Sequence, residues 1–116
     1  MKTRSIQVGN IPCGGDQLFL ISGPCVIEGR DTMMAVAEGL AELREALPLA
    51  GIIYKSSFTK DNRSSVDFFQ GPGLDEGLKL LQEVKEQFNF PLITDIHQVD
   101  QAIPASEVVD ALQIPA

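Results

Sequence analysis

The chain has 116 residues, 44% of them hydrophobic and 22% charged, which fits one globular domain and excludes wholesale disorder. A formal net charge of −7 disfavours nucleic acid and anionic membrane as general partners, though not a local site for a small anion. No apolar run approaches the roughly 18 residues of a membrane span, and no apolar stretch follows the cations of MKTRSIQVGN, so neither a transmembrane segment nor a signal peptide is expected. A cytoplasmic location is the expectation. In that compartment Cys13 and Cys25 are not expected to form a disulfide.

Residues 5–8 read as an extra strand, in a small hairpin ahead of the main repeat. Cys13, inside Pro-Cys-Gly-Gly, reads as a turn residue without a role. The apolar run 18–22 predicts a buried strand that ends in Gly23-Pro24-Cys25, with Glu28 three residues on. Asp31 is placed to cap a helix over 32–47, whose apolar face would be Met33, Ala37, Leu40, Leu43 and Leu47, and Pro48 stops it. Residues 51–54 form a second apolar run and lead into KSSFTKDNRSS at 55–65. Beyond Gly71-Pro72-Gly73, Asp75 and Glu76 suit the positive end of a second helix, with Leu74, Leu78, Leu81, Val84 and Phe88 on its apolar face. A third strand at 92–94 delivers Asp95 and His97. A weaker helix over 98–106 is limited by Pro104, and a fourth strand spans 109–114 and carries Gln113.

Strands alternating with helices predict a parallel α/β sheet. The polar groups with useful chemistry all fall at or after strand C-termini, the edge on which such folds build sites. A flavodoxin-like sheet and a (β/α)8 barrel both predict this. A barrel takes about 250 residues, so four βα units amount to half of one.

Lys55, Lys60 and Arg63 gather in one segment of an acidic chain, with hydroxyls between them. They suit an anion with several negative charges, Arg63 as a fork and the lysines as point charges. The Gly-x4-Gly-Lys phosphate loop is missing, and Phe58 is the sole aromatic between residues 55 and 65, so single-stranded nucleic acid fits poorly. A solvated polar loop has equal claim on composition alone. His97, the only histidine, shares a strand face with Asp95. That spacing suits a carboxylate–imidazole pair, a donor to phosphate, or a structural histidine. Cys25 is either a metal ligand or a structural thiol.

In order along the chain, SGPCVIEGRD (22–31), KSSFTKDNRSS (55–65), GPGLDEGLKLLQEVK (71–85), ITDIH (93–97) and ALQIPA (111–116) resemble the 3-deoxy-D-manno-octulosonate 8-phosphate synthase family. The 3-deoxy-heptulosonate phosphate synthases share the Gly-Pro-Cys opening but usually show Lys-Pro-Arg-Thr where this chain has Asn62-Arg63-Ser64, and they rank second. The resemblance implies an α/β fold, the N-terminal half of a (β/α)8 TIM barrel. It also implies condensation of phosphoenolpyruvate with arabinose 5-phosphate, release of phosphate, and a place in lipopolysaccharide synthesis. Lys55, Ser57 and Lys60 match positions that contact phosphoenolpyruvate. Asn62, Arg63 and Ser64 match positions that hold the sugar phosphate, and Asp95, His97 and Gln113 line the enol end. Lys60, His97 and Asp95 are the candidates for proton handling. A cysteine at position 25 marks the kind of enzyme that uses a divalent metal such as zinc, iron or manganese, whose other ligands come from later in the barrel. Full members are more than twice this length and form homo-oligomers, with a tetramer expected. Residues 1–116 are therefore expected to be a partial domain, catalytically incompetent alone, with two exposed sheet edges. A self-standing domain that binds phosphorylated metabolites without turnover is the reading from another class.

Overall fold

The structure is a computed structural model and describes residues 4–59 and 71–115. It opens with β1 (Ile6–Val8) and β2 (Ile11–Cys13), an antiparallel pair in which Ile6 faces Cys13 and Val8 faces Ile11. There follow β3 (Phe19–Ser22), α1 (Arg30–Ala46), β4 (Gly51–Lys55), α2 (Leu74–Phe88) and β5 (Leu92–Asp95). A single 3-10 turn (Val99–Gln101) runs into the short α3 (Ala102–Ser106), and β6 (Ala111–Gln113) ends the order.

The four later strands form one parallel sheet in the order β3-β4-β5-β6. Neighbours in space are thus neighbours in sequence. A doubly wound sheet reverses its order at a switch point, whereas a barrel does not, and right-handed crossovers that never reverse keep all helices on one face. Met33, Ala37 and Leu40 of α1 and Leu78, Leu81 and Val84 of α2 accordingly bury one common core with Ile52, Tyr54 and Leu92 of the sheet. This is the arrangement of half a (β/α)8 barrel. The opposite face, which would line a barrel's interior, is covered at its N-terminal end by the hairpin: Val8, Ile11 and Cys13 pack on Ile53, with Ile93 and Ala111 beside them. Alternation divides β4 between the two faces, Ile52 and Tyr54 toward the helices, Ile53 and Lys55 toward the interior.

Polar links lock the layers. Asp110 accepts the Leu92 N–H at 2.9 Å and the Lys85 ammonium at 3.1 Å, so one carboxylate joins β5, α2 and the approach to β6. The guanidinium of Arg44 lies 4.4 Å from the Phe90 ring centroid, which joins the end of α1 to the start of β5. Asn89 closes α2 in the left-handed conformation (φ 58°) that asparagine tolerates, its N–H donating to Lys85 O at 2.9 Å.

Several sequence expectations need correction. The N-cap of α1 is Gly29, with no side-chain bond, and Asp31 lies in the first turn, where its charge still suits the dipole. Leu43 is exposed, and so is Leu47, which is the C-cap of α1 rather than part of its apolar face. Strand β3 is not buried. Among the described residues it pairs only with β4, its Phe19 and Ile21 are open to solvent, and Leu18 just before it is 80% exposed. Cys13 is no turn residue but a buried position of β2. Pro104 lies within α3 rather than ending it, in the first turn, where a missing N–H costs little. The last strand is three residues long, not six. None of the described helices is long and apolar enough to cross a membrane.

Two tests follow from the packing. The Tyr54 hydroxyl donates to Met33 O at 2.9 Å inside the core, and burial pushes its phenol well above the usual value. A raised folded value favours the protonated form, so its contribution is fully present below about pH 10 and is lost as the pH climbs toward the folded value. Denaturant midpoints should fall through this alkaline range, and Tyr54→Phe should flatten the fall. With one tyrosine and no tryptophan, tyrosinate absorbance should appear together with unfolding. The second test contrasts two helical glycines. A Cβ at Gly39 meets nothing within 4 Å, so Gly39→Ala should stabilise by about 0.5–1 kcal/mol. At Gly77 a Cβ would overlap Phe58 Cβ, and Gly77→Ala should destabilise by about 1–3 kcal/mol, both read from urea melts.

Candidate active site

The C-terminal ends of β3, β4 and β5 are stitched together by their own backbone and hydroxyls. After β4 the chain continues extended: Ser57 N–H donates to Cys25 O at 3.1 Å and Ile27 N–H to Ser57 O at 3.0 Å, extending the β3–β4 pairing past the loop Gly23-Pro24-Cys25. Gly23 is needed here because a Cβ would collide with the Lys55 carbonyl. Ser56 Oγ donates to Pro24 O at 2.9 Å, and Thr94 Oγ1 donates to Ser56 O at 2.7 Å. All three hydroxyl-bearing residues, Ser56, Ser57 and Thr94, are fully buried.

Ser57 turns its hydroxyl the other way and donates to Asp95 Oδ1. The second oxygen, Asp95 Oδ2, lies 2.9 Å from His97 Nε2, and the side chains of this carboxylate and imidazole are only 6% and 10% exposed. The serine and histidine thus flank one buried carboxylate from opposite sides. The Phe58 ring stands edge-on to the imidazole (centroids 6.3 Å, planes 89° apart) and is itself fully buried. The backbone of His97 is held separately, since its N–H donates to Gln101 Oε1 at 2.8 Å.

Ser57, Asp95 and His97 therefore do come together. Lys55 joins them on the interior face by alternation with Ile53 and is half-buried. Gln113 sits in register with Asp95, so its side chain leaves the sheet on that same face, and its carbonyl accepts Ile96 N–H at 3.0 Å. Cys25 is a free, exposed thiol whose carbonyl lies against Ser57. Lys60, Asn62, Arg63 and Ser64 lie outside the described residues. Glu28 faces another way and lines a surface cavity with Arg30, Lys79 and Glu83. As a metal ligand set the described residues do not suffice: no three of their histidine, cysteine and carboxylate side chains cluster closely enough to hold an ion. Sequence reasoning missed Phe58 and Gln101. The pattern Gln98-x-x-Gln101 is a capping-box spacing and could have flagged the second of these.

Such an arrangement can hold a cationic donor, a hydroxyl and a carboxylate-oriented imidazole around an anion at a strand edge. A buried carboxylate against an imidazole fixes the orientation of the ring and can exchange a proton with it.

Comparison with known proteins agrees with the motifs. The chain is 49% identical over 115 residues to a 2-dehydro-3-deoxyphosphooctonate aldolase of Geobacter metallireducens, covering 98% of this chain and 42% of that protein. The protein of that name from Shewanella piezotolerans is 46% identical over 117 residues, covering 100% of this chain and 41% of its own. Another, from Trichlorobacter lovleyi, is 44% identical, covering 98% of this chain and 42% of that protein. The chain thus spans about two-fifths of the length of the curated relatives it matches. A family model described as the DAHP synthetase I family matches residues 3–116, and the chain belongs to that family.

Proposed function

We propose that this chain is the N-terminal part of a 3-deoxy-D-manno-octulosonate 8-phosphate synthase. The protein would condense phosphoenolpyruvate, arabinose 5-phosphate and water to the eight-carbon sugar phosphate and inorganic phosphate. The observation that carries this reading is the convergence of Lys55, Ser57, Asp95, His97 and Gln113 on one sheet face at the strand C-termini. The name of the relatives favours the octulosonate reaction over the heptulosonate one. No structural observation favours the non-catalytic binding domain.

Two multiply charged anions must lie side by side, so fixed donors have to offset their repulsion. Lys55, Ser57 and Lys60 take the enol phosphate, with Gln113 at its edge, while Asn62, Arg63 and Ser64 take the sugar phosphate. C3 of the enol attacks the aldehyde carbon, whose oxygen gains a proton. The cation left at C2 is captured by water, which gives up one proton; the hydroxyl so formed gives up its second proton as C2=O forms and the C2–O bond to phosphate breaks. Proton handling falls to Lys60 and the Asp95–His97 pair. Cys25 would supply one ligand to a divalent zinc, iron or manganese ion, and the other ligands are not among the described residues. The whole protein is proposed to be cytoplasmic, to serve lipopolysaccharide synthesis, and to be a homotetramer, with residues 1–116 as a partial domain.

Fusion of this chain to the remaining portion of the Geobacter metallireducens relative tests the reading. The fusion should release phosphate from phosphoenolpyruvate with arabinose 5-phosphate and not with erythrose 4-phosphate, and the 116-residue chain alone should be silent. Lys55→Ala in the fusion should cut kcat/KM by about 10²–10³-fold. Cys25→Ala should lower its metal content. A preference for erythrose 4-phosphate, or turnover by the chain alone, would overturn the assignment.

A further inference from the structure

We propose that Gln101 is a positioning residue, setting the imidazole of His97 against Asp95 from outside the site. At the end of β5 the ladder stops: Ile96 N–H still donates to Gln113 O at 3.0 Å, and His97 is the next residue along. Its N–H goes instead to Gln101 Oε1 at 2.8 Å, and the same oxygen accepts Gln98 N–H at 3.2 Å. Gln101 N–H in turn donates to Gln98 O at 3.1 Å, and the two glutamines form a reciprocal capping box around the 3-10 turn.

His97 is therefore held at two independent points. The amide of Gln101 fixes its backbone, and the ring lies 2.9 Å from Asp95 Oδ2 and edge-on to Phe58. The Gln98 side chain caps the turn by accepting the Gln101 N–H. The Gln101 oxygen reaches one residue further back, onto the residue that carries the imidazole. With that bond removed, the backbone of His97 can rotate, and the ring swings relative to a carboxylate that the sheet and Ser57 hold still. A small error in placing a reacting group is costly in rate while leaving substrate binding almost untouched. The proposal that Gln101 matters for turnover rests on the assignment of His97 to proton handling; its role in placing the ring does not.

The experiment uses the 116-residue chain, in which His97 is the only histidine and gives unambiguous imidazole resonances. The parent should show a nuclear Overhauser contact between the His97 and Phe58 rings. Gln101→Ala should lose it with the remaining amide spectrum unchanged, and Gln101→Glu, whose carboxylate can still accept both N–H groups, should keep it. In the fusion protein Gln101→Ala should lower kcat by about 10- to 100-fold with KM unchanged, and Gln101→Glu should restore it. A folded Gln101→Ala chain that keeps the contact overturns the proposal. So does a parent without it, a folded Gln101→Glu chain that loses it, or unfolding of both variants, which would make Gln101 merely structural. A fusion inactive with native Gln101 would overturn the assigned reaction and leave the ring-placement result from the spectra standing.

Discussion

A buried carboxylate has to be satisfied on both oxygens or it destabilises the fold that holds it, and Asp95 meets that demand with the ends of two strands. One oxygen takes the Ser57 hydroxyl from beyond β4, and the other faces the His97 imidazole beyond β5. Both partners lie just beyond the named strands, so the carboxylate joins the segment that follows β4 to the one that follows β5. Around it Ser56 and Thr94 direct their hydroxyls to neighbouring carbonyls, which leaves the strand ends without slack.

The sheet order explains why these groups meet at all. Sequential parallel strands bring each C-terminal end to one rim, and crossovers of one hand leave the opposite face clear of helices. The hairpin fills that face at the N-terminal end, so the interior is apolar below and polar above. The two edge strands carry exposed apolar side chains, Phe19 and Ile21 on one and Leu112 on the other. Edges of this kind tend to recruit further strands.

Much of the framework was legible in the sequence because burial leaves a period. Met33, Ala37 and Leu40 repeat at helical spacing, as do Leu78, Leu81 and Val84, and all six are buried. The placement of Ser57, Asp95 and His97 at strand ends was legible for the same reason. Strand β2 was not, since Pro12 and two following glycines imitate a turn while Ile11 and Cys13 do the packing. The exposure of β3 was hidden because an apolar edge strand and an apolar central strand have the same composition. Gln101 and Asp110 act through oxygen atoms on backbone N–H groups, and such bonds impose no repeat on the sequence.

Phe58, just beyond β4, and Gly73, at the start of α2, meet directly: the glycine N–H donates to the Phe58 carbonyl at 3.0 Å. Gly71 (φ 116°) passes so close to that carbonyl that a Cβ would overlap it. The bond joins the end of β4 to the start of α2 directly, so the relation of these two elements has a contact of its own. Closing a longer loop costs little, about 0.6 kcal/mol for each doubling of length. The framework is therefore permissive toward changes in the length or composition of the chain between residues 59 and 71, because the positions that flank it are fixed by a contact of their own.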